Sequence, residues 1–344
     1  MTSGTKIMQP LLYRFRAMNT DVELSLACDG YTMSEAVELA VDWYEEVERV
    51  FSRFRPDSEL SRINRTAGSG APVMISSMMR DVLQLTLWHR ETTGGIFSPL
   101  VGDSMDAAGY DRSFEQLTAV GPHGTIQSAD GSENNRCQPS NDKTLDWGHS
   151  STSMLLDIGM QSVQLKHGSK LDLGGIAKGW ATAKLVQWLR TRFNIRAGLV
   201  NAGGDLQAWN DCSDEPIWQI DIKGPIEGGG DNLYRMMREG AAATSGTLGR
   251  RWQTNRGIQH HLIDTRTCSP SRSDIVQCTV SGPDLITCEV WAKTICIAGE
   301  DGLRRMSSKL PSSYTALMIN KAGGCRYCAR DWLTSKNEGG SMSL

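Results

Sequence analysis

The sequence predicts an α+β fold. Short stretches of alternating apolar and polar residues recur from end to end, and four longer stretches read as helices. Their order follows no regular strand–helix–strand rhythm, which argues against a doubly wound parallel sheet. Hydrophobic residues make up 39% of the 344 and charged residues 22%, enough for a packed core and too little charge for a disordered chain. The 36 basic and 39 acidic residues leave a net charge of −3, with no basic excess for general nucleic-acid binding. No run of about 18 apolar residues suggests a membrane span, and the start, MTSGTKIMQPLLYRF, has no apolar signal core. Nine cysteines, scattered from Cys28 to Cys328, fit a reducing cytoplasm better than a disulfide framework. Cys325 and Cys328 form a lone CxxC without a second pair at zinc-finger spacing.

The first expected element is a hairpin, from period two at Tyr13, Phe15 and Ala17 and again at Val22, Leu24 and Leu26. A long helix follows, with Thr32 and Glu35 at capping-box spacing. Met33, Ala36, Val37, Ala40, Val47, Val50, Phe51 and Phe54 mark its apolar face, and Pro56 predicts its end near Arg55. A second helix is expected over 77–92, stopped at Gly94-Gly95. Residues 120–153 are polar and rich in Gly, Ser and Asn, the composition of a surface insertion. Strands are expected at 154–157, 162–165, 198–201, 218–222, 241–245, 261–263, 277–281 and 314–319, with helices over 175–193 and 286–298.

The strongest chemical signal is Leu171–Trp180, LDLGGIAKGW. Glycines permit close backbone approach, a helix start offers unpaired N–H groups, and Lys178 adds a positive charge. The segment reads either as a phosphate site or as a plain strand-to-helix turn, since its spacing is neither GxGxxG nor GxxxxGK[ST]. VNAGGD (200–205), ATSG (243–246) and HHLID (260–264) are further polar or Gly-rich blocks. His261 is the side chain among them most easily used for proton transfer near neutral pH.

In this order, these segments resemble the ApbE-type FAD:protein FMN transferases. The resemblance runs through MNTD at Met18, FSRFRPDSELSRIN, GGIFSPLVG, AAGYD, LDLGGIAKGWA, VNAGGD, ATSG and HHLIDTRT to CEVWAKTICIAG at Cys288. It implies one transferase domain over 12–320 with a T-fold-like core, the insertion at 120–153 and a C-terminal tail at 321–344. It also implies Mg²⁺-dependent cleavage of FAD, transfer of FMN to a Thr hydroxyl of an acceptor protein and release of AMP. Carried over by position, Met18 and Phe54 would contact the flavin, with a place in the core as the other reading of both. Ala108, Gly109 and Tyr110 would line the adenine side, Lys178 would lie near the phosphates, and backbone groups near Ile263 would touch the cofactor. Ala177 would offer a carbonyl to the metal and His261 would take the acceptor's proton.

The resemblance breaks at the last helix. Where such enzymes usually carry Asp and, four residues on, Thr, this chain has Glu289 and Lys293. Glu289 can ligate Mg²⁺. A charged Lys293 cannot; it can pair with Glu289 or act as a fixed cation on the pyrophosphate. Ser98, Thr265 and Cys268 also stand where Asp, Pro and Gly are common. The alternative is therefore an FAD-binding protein or weak FAD hydrolase with reduced transferase activity. A flavin-dependent oxidoreductase is disfavoured, because the resemblance puts the phosphates at the reactive centre.

Overall fold

The computed structural model describes residues 9–118, 153–212, 218–224, 233–329 and 332–336. The chain opens with strands β1 (Leu11–Ala17) and β2 (Thr20–Leu26), then helices α1 (Gly30–Phe51) and α2 (Glu59–Arg65). Strand β3 (Val73–Met74) precedes α3 (Ser77–Thr92), α4 (Gly102–Ala107) and α5 (Phe114–Thr118). Beyond residue 152 come β4 (Met154–Asp157), β5 (Ser162–Leu165), α6 (Ala177–Thr191), β6 (Ala197–Ala202) and β7 (Asp205–Asn210). Strands β8 (Trp218–Ile222), β9 (Leu233–Met237), β10 (Gly240–Gly246), β11 (Arg251–Thr254), β12 (Gly257–His260), β13 (Ile263–Asp264), β14 (Ser269–Pro270) and β15 (Ile275–Gly282) follow. The chain closes with α7 (Leu285–Met306), β16 (Thr315–Asn320), β17 (Cys325–Ala329) and β18 (Trp332–Lys336).

Nine strands form one sheet in the order β1-β2-β6-β7-β10-β15-β16-β17-β18. Every neighbouring pair in it is antiparallel. Alternation along the strands sends side chains to two cores. Val200, Ala241 and Ala243 face the helices, whereas Leu199 and Ala242 join Trp218, Ile220 and Met237 of the β8–β9 hairpin. Helices α1, α6 and α7 contact one another in sequence, α6 lying on β6 and β7 and α7 on β10 and β15. Tyr44 on α1 shares a buried 2.7 Å hydrogen bond with Thr182 on α6, and Trp43 Nε1 donates to the Ala181 carbonyl. These contacts set the end of α1 beside the start of α6. The α+β expectation is borne out.

Local differences from the sequence reading bear on the site. Helix α1 is capped by Asp29, whose carboxylate accepts from Thr32 N–H at 2.8 Å, so the Thr32–Glu35 box is not the cap. The same helix stops at Phe51, earlier than Pro56 requires, because Ser52 is extended. Phe54 therefore lies on a loop. The hairpin turn is Met18-Asn19, both at positive φ, the pattern of a two-residue turn that follows strand twist. The strand expected over 261–263 is interrupted: β12 ends at His260 and β13 begins at Ile263, leaving His261 on a bend. Helix α7 runs beyond 298 to Met306, with non-helical backbone at Gly299. Residues set apart by sequence as a C-terminal tail contribute β17 and β18 to the large sheet. The expected insertion lies, apart from residue 153, outside the described residues. Among the described residues no helix is long and apolar enough to cross a membrane.

His89 on α3 is 1% exposed and its Nδ1 has no hydrogen-bond partner among the described residues. Burial pushes its pKa down to about 4 from an ordinary 6.5. The folded state thus binds fewer protons than the unfolded state between these values, and stability falls as pH drops through that window. We expect up to about 3 kcal/mol of unfolding free energy to be lost this way on acidification. Urea unfolding followed from neutral to acidic pH checks this: His89→Leu should show a flatter profile than the parent.

Candidate active site

A cavity of ≈ 200 Å³ opens where the α1 end, the Met18-Asn19 turn and the start of α6 converge. Its walls include Met18, Phe54, Tyr110, Ala177, Lys178, His261 and Lys293. Ile263 lines a smaller adjoining cavity that shares Asp172, His261 and Lys293 with the first. Ala108 and Gly109 are buried behind Tyr110 rather than on the cavity wall. The Ala108 carbonyl accepts from Trp252 Nε1 at 2.8 Å, so it supports the turn instead of facing a ligand.

The aromatic wall is built around Arg53. Its guanidinium stacks on the Phe54 ring at 4.3 Å and the Tyr110 ring at 4.7 Å, which favours a cation over each π-face. The same group pairs with Asp106 at 2.9 Å and Asp172 at 2.8 Å and donates to the Tyr110 carbonyl. Tyr110 in turn packs 4.9 Å from Trp252. On the opposite side, the Met18 N–H donates to Glu48 Oε1 at 2.6 Å, holding the hairpin turn against α1. Sequence reasoning missed Arg53, Glu48 and Trp252, whose roles are visible only through contacts between distant segments.

Asp172 organises the LDLGG turn: its Oδ1 accepts from Gly174 N–H at 2.9 Å. Beyond the turn, α6 has no side-chain cap of its own at Ile176. Glu289 on α7 supplies one. Its Oε2 accepts from Gly179 N–H at 2.8 Å, and a Cβ on residue 179 would lie 2.6 Å from that oxygen. A Cβ there would push the carboxylate back from the N–H. A carboxylate at a helix N-terminus is also favoured by the exposed backbone dipoles there.

Lys178 reaches back from α6 to Asp205, with a further hydrogen bond of 3.2 Å to the Ala202 carbonyl. Asp205 is buried and also accepts from Thr244 N–H at 3.3 Å. Burial pushes the Lys178 pKa down to about 8. Lys293 approaches from α7 and covers Gly175 so closely that a Cβ there would collide with its ammonium. No carboxylate lies within 4 Å of that ammonium among the described residues. The i,i+4 pair with Glu289 that the spacing allows does not form, because Glu289 turns to Gly179. Burial lowers the Lys293 pKa, and the more distant Glu289 and Asp172 oppose this. Arg250, which the sequence did not single out, also lines the cavity, and its guanidinium makes no ion pair among the described residues.

The two adjacent histidines differ in state. His260 Nε2 donates to the Ser271 carbonyl at 2.9 Å and its Nδ1 accepts from Leu262 N–H at 3.3 Å, so both nitrogens are engaged. His261 makes one long contact, Nδ1 to the Arg250 carbonyl at 3.5 Å. Burial, then Lys293 and Arg250, hold its pKa well below the ordinary value, so it is neutral near pH 7. A neutral imidazole on a cavity wall is the competent form of a proton acceptor.

Ala177 and Glu289 do not fit a resident Mg²⁺. The ion wants six oxygens in near-ideal octahedral geometry. Among the described residues no group of three His, Cys, Asp or Glu side chains could hold a metal. Glu289 Oε2 is already used by a backbone N–H, and the residue one helical turn away on the same face is the cation Lys293.

The Lys178–Asp205 pair generates a stability prediction. Truncating one partner of a buried ion pair strands the other charge, at a cost of about 3–5 kcal/mol. Lys178→Ala should lose this much in chemical denaturation, and Lys178→Ala with Asp205→Asn should regain most of it.

Comparison with known proteins extends over the whole of this site. Among curated relatives, the FAD:protein FMN transferase of Treponema pallidum (strain Nichols) is 28% identical over 276 residues, covering 77% of this chain and 71% of that protein. The FAD:protein FMN transferase of Rhodobacter capsulatus is 25% identical over 271 residues, or 78% of this chain, which spans 47% of that longer protein. Among solved structures, the ApbE protein of Thermotoga maritima superposes with a TM-score of 0.73 at 23% identity, covering 92% of this chain and 96% of that one. That likeness establishes the fold. Residues 18–318 match the ApbE family, a span that takes in every cavity-lining residue described above, and the chain belongs to that family.

Proposed function

We propose that the chain is an FAD:protein FMN transferase that moves FMN from FAD to a Thr hydroxyl of an acceptor protein. The observation that carries this reading is one cavity lined by aromatic rings together with Lys293, Arg250 and the neutral His261. An FAD molecule offers matching parts: a planar isoalloxazine and a doubly negative diphosphate. Family membership and the activity for which the relatives are named support the same assignment.

In this reading, Phe54, Tyr110 and Met18 take the ring system, and the cations hold the diphosphate. The acceptor oxygen attacks the FMN-side phosphorus. The bond from that phosphorus to the bridging oxygen breaks, AMP leaves with the bridging oxygen, and the hydroxyl proton passes to His261. Fixed cations stabilise charge on the phosphoryl oxygens, the usual main contribution in such transfers. A magnesium ion on Ala177 and Glu289 is not included, for the donor-set reason given above. Nine cysteines scattered along the sequence without a framework of close pairs support a reducing compartment, the cytoplasm, as its location.

Incubation with FAD and Thr-containing acceptor peptides, followed by mass spectrometry and AMP release, tests this function. The expected result is a peptide gaining FMN, with AMP released in equal amount. AMP release without peptide modification would instead identify an FAD hydrolase, with water as acceptor. His261→Ala should slow transfer by about 100-fold or more while FAD still binds. Transfer at the parent rate would remove His261 from the reaction.

A further inference from the structure

We infer that the diphosphate of the bound dinucleotide is neutralised by Lys293 and Arg250 of the protein itself, so that FAD binds without a divalent cation. The inference rests on the FAD reading above and concerns how the same cavity holds its ligand.

The argument is one of charge placement. Six charged side chains line the larger cavity: Glu48, Arg53, Asp172, Lys178, Arg250 and Lys293. Arg53 is spent on Asp106 and Asp172. Lys178 is spent on Asp205. Glu48 is held by the Met18 N–H. That leaves Arg250 and Lys293, which have neither an ion-pair nor a side-chain hydrogen-bond partner among the described residues. An unpaired cation in a partly buried wall is costly unless an anion completes it. Two such cations match the two charges of a diphosphate.

Position supports the same conclusion. Lys293 lies over Gly175, at the turn that leads into α6, and faces both cavities. Gly175 carries no Cβ, and a Cβ is what would displace the ammonium. Glu289 lies behind this cation and is committed to Gly179 N–H. The site therefore presents two cations to the cavities, which Glu289 does not line, where a magnesium ion needs carboxylate oxygen beside the substrate phosphates and waters. A divalent ion placed among them would meet like charge.

The test is calorimetric titration of the full chain with FAD, FMN and riboflavin, in EDTA and again in excess Mg²⁺. The expected result is an FAD affinity within about twofold between the two buffers, and above that for riboflavin. Losing a charge-assisted contact weakens binding by about tenfold to a hundredfold. Lys293→Gln should weaken FAD by that factor, leave riboflavin unchanged, and not be rescued by Mg²⁺. FAD binding by the parent only when Mg²⁺ is present would overturn this inference and leave the transferase reading standing. Parent-like FAD affinity in a folded Lys293→Gln would also overturn it. If FAD binds in neither buffer, the transferase reading falls and this inference with it. The EDTA titration uses the unaltered chain, so the test does not depend on whether the variant folds.

Discussion

The hydrogen bond between Glu289 and the Gly179 N–H ties the molecule's two central helices together at the active-site end. It caps α6, which lacks a cap of its own, with a carboxylate from α7. The oxygen comes so close that a Cβ on residue 179 would push the carboxylate away, and because α7 lies on β10 and β15, the start of α6 is referenced to the sheet. Lys178 beside that start and Lys293 one turn along α7 are then brought to the same cavity from two directions. A substitution at this contact would disturb the scaffold and the ligand cradle together.

The site divides its charges by whether they are paired. Arg53 and Lys178 have buried or half-buried acid partners and serve the scaffold: one braces the aromatic wall, the other joins α6 to β7. Arg250 and Lys293 have none among the described residues and face the cavity. The same division applies to the His260-His261 pair. Two hydrogen bonds fix His260, whereas His261 keeps a neutral ring beside two cations, which supports a role in accepting a proton. Low solvent access strengthens each of these interactions and raises the cost of any charge left unmatched.

Burial of one Glu also changes what the α7 spacing means. On an isolated helix, Glu and Lys four residues apart would attract each other. Here the carboxylate finds a better partner in an uncapped helix terminus, and the lysine remains directed at the LDLGG turn. The pair that a sequence would read as a local surface interaction is split between two tertiary contacts. This is why Glu289, read as a candidate metal ligand, has one of its two oxygens engaged by a backbone N–H and lines neither cavity.

By itself the sequence determined the α+β class, the hairpin at the start, α3, the β8 strand and the order of the Gly-rich blocks. These depend on periodicity and on glycine placement within a few residues, which a chain carries locally. It also picked out His261, Lys178 and Lys293, all on the cavity wall, the first two because their motifs are intact and Lys293 because it departs from one. Only the tertiary structure decided which charges are spent. Asp205 lies 27 residues from Lys178, Asp172 lies 119 from Arg53, and Glu289 lies 110 from Gly179. Arg250 sits in no motif and became visible only when its loop reached the cavity. Pairing between distant segments depends on where the sheet and helices bring them together, and no local pattern encodes that.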